Sequence, residues 1–173
     1  MNIYVACGLT HVPRSEFDRY VLFLHSLANH LTTHLGAEVK YALRDSDPQL
    51  AERPPIDRAR LCYLWDRQMV EWADVVVAEA SFPSTGLGIE MQIAEANGTP
   101  IVVAYRVAEA HKAPPVQYKN PNRTTHSLQL GEGYVSLMAL GLPSVFKVVP
   151  YTSEAEGQSL LLDALSEVNK PEA

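Results

Sequence analysis

The sequence predicts an α/β fold, a three-layer α/β/α sandwich around a five-stranded, mainly parallel sheet. Three observations carry that expectation. Short apolar runs bounded by polar residues, Val75-Val76-Val77-Ala78 above all, suit strands covered on both faces. Longer stretches place apolar residues at the three/four spacing of a helix. The two kinds of segment alternate along the chain, and right-handed crossovers turn such an order into a parallel sheet with helices on both sides.

The elements follow in order. Ile3, Tyr4, Val5, Ala6 and Cys7 form a first strand that ends at Gly8. The loop 8–14 leads into a helix for which Ser15 is the expected N-cap, with Glu16 and Asp18 at the positive end of its dipole. Phe17, Tyr20, Val21, Leu24, Leu27, Ala28, Leu31 and Leu35 make its core-facing stripe, and Gly36 ends it. Val39, Tyr41 and Leu43 alternate with polar neighbours, the pattern of a second, more exposed strand. Residues 44–55 are polar and contain proline, so they read as a surface loop. Residues 56–72 read as a second helix, with Ala59, Cys62, Tyr63, Met69 and Val70 as its main apolar positions. After the third strand comes the turn Ser81-Phe82-Pro83-Ser84-Thr85-Gly86, then a helix carrying Leu87, Met91 and Ala94 that stops at Asn97-Gly98. Residues 100–105 are a fourth strand, 145–149 a fifth, 154–168 a final helix and 170–173 a frayed tail. Between 107 and 143 the signals weaken. Residues 111–122 are rich in Pro, Lys and Asn and read as an exposed loop, and a helix is expected within 127–140 despite Gly131 and Gly133. The resulting arrangement is of the flavodoxin or Rossmann type.

Composition bounds the function. The 173 residues are 47% hydrophobic and 20% charged, ordinary values for a globular chain with a proper core. A net charge of −6 argues against a nucleic-acid polymer and against a polybasic membrane surface as partners, but leaves room for a small anionic ligand in a local pocket. No apolar run reaches membrane-spanning length, and the amino terminus lacks the pattern of a signal peptide. Cys7 and Cys62 form neither a disulfide framework nor a zinc spacing, so a reducing cytoplasm is expected. His25, His30 and His34 read as helix surface rather than metal ligands.

Ligands of open α/β sheets lie just outside the carboxyl ends of the strands. Glu90 sits near the start of the helix after the central strand, where the dipole and free amides would hold it ionised, as a nucleophile requires. A dipole-favoured but inert carboxylate is the competing explanation. Asp66 is a second carboxylate on the helix feeding the central strand. It is either a solvated helix residue or the acid–base partner of Glu90, provided the amino-terminal half of its helix packs toward the strand's carboxyl end. Tyr4 is either a packed strand residue or a hydroxyl that orients a carboxylate. Ser84 and Thr85 are natural N-caps, and with the amides of Gly86 and Gly88 they also suit a phosphate. His11 and Arg14 lie in the first loop, where a phosphate could be met. Phe82 reads as core, though it is in the right loop to stack on a base.

Together these residues resemble the nucleoside 2-deoxyribosyltransferase superfamily, and within it the 2'-deoxynucleoside 5'-monophosphate N-glycosidases. The likeness runs over the first strand and over 65–106. It rests on Tyr4 in Ile3-Tyr4-Val5, Asp66 in Trp65-Asp66-Arg67-Gln68, and Glu90 in Gly86-Leu87-Gly88-Ile89-Glu90. The resemblance implies a single nucleoside 2-deoxyribosyltransferase-like domain over 1–173, with an irregular insertion at about 107–143. It implies Glu90, Asp66 and Tyr4 as catalytic residues, and Gly8, Thr10, His11, Arg14, Phe82, Ser84, Gly86 and Gly88 as substrate-binding residues. Family members acting on free nucleosides tend to carry an acid six residues before the glutamate, and nucleotide hydrolases a serine; Ser84 stands there. The family's Ser/Arg-containing first loop is replaced by Leu9-Thr10-His11-Val12-Pro13-Arg14. The implied activity is release of a free base from a deoxynucleotide through a covalent glutamyl intermediate. Base exchange between deoxynucleosides and non-catalytic nucleotide binding are the alternatives. The chemistry is acid–base and nucleophilic, so no metal and no cofactor is expected. A homodimer, or a multiple of dimers, is implied as the assembly.

Overall fold

The computed structural model describes residues 1–168; the tail expected to fray at 170–173 lies outside the described residues. Five parallel strands form the central sheet in the order β2-β1-β3-β4-β7. They are β1 (Asn2–Cys7), β2 (Glu38–Tyr41), β3 (Val75–Glu79), β4 (Ile101–Arg106) and β7 (Val145–Tyr151). Helices α1 (Arg14–Leu35) and α7 (Glu154–Val168) cover one face, and α4 (Pro55–Trp72) and α5 (Thr85–Ala96) the other. The predicted three-layer α/β/α sandwich is the observed one.

The period of two along each strand divides the core. Ile3, Val5, Val75, Val77, Val102 and Ala104 face α1 and α7, where Leu24, Leu27, Leu31, Leu161 and Leu165 are fully buried. Tyr4, Ala6, Val76, Ala78, Ile101 and Val103 face α4 and α5, where Val70, Met91 and Ala94 meet them. β3 is buried along its whole length, as its unbroken apolar run requires. Tyr4, on β1, is level with Val76 in β3 and is aimed at the α4/α5 layer.

Several local expectations are corrected. Helix α1 begins at Arg14 after Pro13, so Ser15 lies inside its first turn and caps nothing. Proline fixes the entry φ, and its missing N–H costs nothing there. The stripe of α1 includes Phe23 as well. The segment 44–55 is not a plain loop. Two short helices, α2 (Ala42–Asp45) and α3 (Asp47–Ala51), turn the chain at Ser46, which is 1% exposed. Only Met69 and Val70 of α4 are buried, so its amino-terminal half stands off the sheet, with Ile56 90% exposed.

The crossover from β4 to β7 departs most from expectation. It holds a short 3-10 turn at Glu109–His111, an antiparallel hairpin of β5 (Gln117–Lys119) and β6 (Thr125–Ser127), and the single turn α6 (Leu137–Leu140). The helix expected within 127–140 shrinks to that turn because Gly131 and Gly133 both take positive φ, which breaks a right-handed helix. The sheet face beneath this crossover is therefore covered by α6 and a loop rather than by a full helix. Among the described residues no helix is long and apolar enough to cross a membrane.

Candidate active site

Tyr4 and Glu90 meet across the α4/α5 layer. The Tyr4 hydroxyl donates to Glu90 Oε1 at 2.5 Å. Glu90 is the sixth residue of α5, past the free amides of the first turn, and it is 9% exposed. The expectation that the dipole holds it ionised is thereby corrected. Burial dominates and pushes the carboxyl up to about 8; the Tyr4 hydrogen bond opposes this and the Asp66 charge adds to it. Burial also raises the Tyr4 hydroxyl, with Glu90 adding to it, so Tyr4 remains a donor at any working pH.

Helix α4 runs back across the sheet with its amino-terminal half toward the strands' carboxyl ends, which is what Asp66 needed. Asp66 and Glu90 line one hollow of 190 Å³, together with Cys62, Tyr63, Gly86 and Ile89. Asp66 is fixed from two sides, accepting from Ser46 Oγ at 2.7 Å and from Cys62 Sγ at 3.3 Å. Neither partner was singled out in the sequence. Cys62 stands one helical turn before Asp66, a spacing that could have revealed it. Ser46 is twenty residues away and reaches Asp66 only because α2 and α3 fold back, so no local signal marks it.

Helix α5 separates this hollow from a second one, which the turn before it also lines. Ser84 is the N-cap of α5, accepting from the Leu87 amide at 3.2 Å. His11, Phe82, Ser84 and Gly88 line the second hollow, of 600 Å³, whose far wall is made by Tyr134, Val135, Met138 and Leu142 of the crossover. Phe82 is 5% exposed and set edge-on against Tyr20, so only its rim is available. Gly86 and Gly88 have ordinary helical backbones, and a Cβ on either would clash with nothing. Glycine inside a helix costs about 0.5–1 kcal/mol relative to alanine, and here no contact within the chain compensates for it.

Gly8 closes the first loop onto the turn. A Cβ there would lie 2.9 Å from both the Phe82 carbonyl oxygen and Ser84 Cβ. Gly8→Ala is therefore expected to cost about 1–3 kcal/mol of stability, measured by denaturant unfolding; an unchanged midpoint would mean that the loop and turn are free to part. Thr10 is exposed, and Arg14 stands over the Phe17 ring at 5.6 Å, so neither lines either hollow.

A buried cluster behind the turn also escaped sequence reading. Glu79, at the end of β3, is fully buried and accepts from Tyr20, Ser81 and Tyr151. Burial raises its carboxyl, and the three hydroxyls act against that rise. Ser81 also accepts from the Arg106 amide at 2.7 Å, which ties the 81–84 turn to the end of β4. Alternation along β3 gives the facing of Glu79, but besides the neighbouring Ser81 its partners come from two distant elements, Tyr20 of α1 and Tyr151 of β7.

A protein of Syntrophotalea carbinolica assigned as a 2'-deoxynucleoside 5'-phosphate N-hydrolase is 36% identical over 158 residues, 91% of this chain and 88% of the relative. A conserved protein of Enterococcus faecalis is similar in structure with a TM-score of 0.56, at 17% identity, over 96% of this chain and 98% of its own. The CMP N-glycosidase of Clostridium botulinum is similar with a TM-score of 0.53, at 17% identity, over the same 96% and 98%. At that identity the two structures bear on the fold. No family model matches the chain.

Proposed function

We propose that this chain, which belongs to the 2'-deoxynucleoside 5'-phosphate N-hydrolase family, hydrolyses the N-glycosidic bond of a 2'-deoxynucleoside 5'-monophosphate. The observation that carries this reading is the meeting of Asp66 and Glu90 at one 190 Å³ hollow, with the buried Tyr4 hydroxyl bonded to Glu90 from behind.

In the free enzyme Glu90 holds a proton, because burial favours its neutral form. Substrate binding lets that proton pass to Asp66, which Ser46 and Cys62 hold in place. Ionised Glu90 then attacks C1'. The new C–O bond forms as the C1'–N bond breaks, the electron pair stays on the base nitrogen, and Asp66 delivers its proton to the departing base. In the second half a water attacks C1' and gives a proton to Asp66, and Glu90 leaves as a carboxylate. The pair ends as it began, and the products are a free base and deoxyribose 5-phosphate. Without a 2'-hydroxyl the sugar cation forms more easily, which explains a deoxy preference.

Tyr4 orients the attacking oxygen. Ser84, the Gly86 and Gly88 backbone, Gly8 and His11 meet the phosphate; the open space over Gly86 and Gly88 supports that approach. Thr10 and Arg14 would join only if the first loop moved inward.

A panel of deoxy- and ribonucleotides, with and without the 5'-phosphate, assayed for free base by chromatography, tests the reading. The expected result is base release from deoxynucleotides, at least about tenfold faster than from the matching nucleosides or ribonucleotides, a difference of roughly 1.4 kcal/mol in the barrier. Exchange with an added second base and no need for phosphate would instead make the protein a transferase. Binding without release would make it a nucleotide sensor.

A further inference from the structure

The 5'-phosphate brings more charge than the Ser84 turn can balance. A phosphate monoester carries about −1.5 to −2 charge at pH 7. Gly8, His11, Ser84, Gly86 and Gly88 offer it amides, a hydroxyl and an imidazole, but no permanent cation. Taking such a group out of water without a counter-charge is costly. The arginines around the two hollows are committed elsewhere. Arg106 pairs with Glu16, Arg19 with Glu154 and Arg67 with Glu71. Arg14, in the first turn of α1, covers the Phe17 ring.

The crossover supplies a cation. Lys112 is exposed, and its Nζ stands 5.9 Å from the centroid of the Tyr134 ring. Tyr134 belongs to the far wall of the 600 Å³ hollow, whose near wall holds His11, Ser84 and Gly88. Lys112 takes part in no ion pair among the described residues. A cation over a ring at an exposed site is weakly held, so this ammonium is available to an anion in the hollow.

The backbone on either side of Lys112 is pinned to both walls. The His111 ring lies against Phe82, with centroids 4.8 Å apart, and Phe82 is in the turn that carries Ser84. His111 Nε2 is itself within 3.2 Å of Arg106 and 3.4 Å of Glu16. On the other side the Ala113 amide donates to the Gly133 carbonyl at 2.8 Å, next to Tyr134. Lys112 thus sits between the anchor on the near wall and the anchor beside the far one. Its flexible four-carbon stem can turn the ammonium from the ring toward the Ser84 turn. A lysine binds phosphate as a point charge and needs no fixed fork geometry.

We propose that Lys112 is the counter-charge of the substrate's 5'-phosphate, and that it sets the preference for nucleotides over nucleosides. This rests on the reading that the Ser84 turn meets the 5'-phosphate.

The test compares the wild type with Lys112→Ala, Lys112→Arg and Lys112→Glu, all at an exposed position that tolerates the change. Base release by chromatography is followed on deoxynucleoside 5'-monophosphates and on the matching deoxynucleosides. Binding of the monophosphates is measured by calorimetry on Glu90→Gln, with and without Lys112→Ala. In Lys112→Ala, KM for the monophosphates is expected to rise at least about tenfold while kcat changes less than about threefold. The ratio of kcat/KM for nucleotide over nucleoside should fall with it. Lys112→Arg should restore most of that ratio, and Lys112→Glu should lower it further. A residue with a merely structural role would weaken turnover of both substrates alike and leave the ratio where it was.

An unchanged ratio in Lys112→Ala and Lys112→Glu overturns the proposal, as does a loss shared equally by nucleotides and nucleosides. Calorimetric binding weakened by Lys112→Ala, with no base release from any of the proteins, would leave this inference standing and sink the proposed hydrolysis. Base release from monophosphates that Lys112→Ala does not diminish would do the reverse.

Discussion

Glu90→Gln is expected to release base at no more than about a thousandth of the wild-type rate, a loss of roughly 4 kcal/mol of transition-state stabilisation. An amide can accept from Tyr4 as the protonated carboxyl does, so the fold and the hollow should survive, but it cannot form the bond to C1' that the mechanism needs. Nucleotide affinity should change by less than about threefold, which separates a lost nucleophile from a lost site. In the wild type, kcat/KM reports the ionisation of Glu90 in the free enzyme. Above about pH 8, where burial has set Glu90, Glu90 is ionised and brings no proton for the base, so kcat/KM should fall tenfold per pH unit. Base release by Glu90→Gln at near wild-type rate would end the covalent mechanism. A wild-type profile that rises through pH 8 would end the role of Glu90 as the source of that proton.

Stability should respond to the same burial. In the unfolded chain Glu90 ionises near the usual glutamate value of about 4.3; in the folded protein burial lifts it to about 8. The folded value lies above the unfolded one. The contribution of Glu90 is therefore complete below about pH 4.3 and is lost as pH rises through about 8, because only the unfolded chain gains from ionising in that window. The slope is about 1.4 kcal/mol per pH unit, or about 5 kcal/mol over the whole window. Glu90→Gln has no charge to bury and escapes this decline. Glu79 is buried in both proteins and cancels in the comparison. Unfolding in denaturant at pH 5, 6.5 and 8 should show the variant gaining steadily on the wild type and exceeding it by several kcal/mol at pH 8. A constant difference across the three pH values would mean that water reaches Glu90 freely.

How far each feature was legible follows from the range of the interactions that make it. Helix α7 and the strand β3 are read almost to the residue, because an apolar stripe or an unbroken apolar run is a local property of the chain. The Ser84 cap is legible for the same reason. The crossover is not: the hairpin β5–β6 is fully exposed, so it has no buried face to impose a period of two on its residues. The burial of Glu90 was missed because position along α5 gives its facing but not the depth of the layer above it.

By itself the sequence determined the layer architecture and the direction of the strands, and it offered Tyr4, Asp66 and Glu90 as candidates. Periodicity and residue type are written along the chain, and each element sorts its own faces. Only the tertiary structure decided that Glu90 is buried against Tyr4, that Ser46 and Cys62 hold Asp66, and that a second hollow opens beyond the Ser84 turn. Those facts depend on how closely distant segments pack, and desolvation, which sets the charge of Glu90, acts through all of them at once.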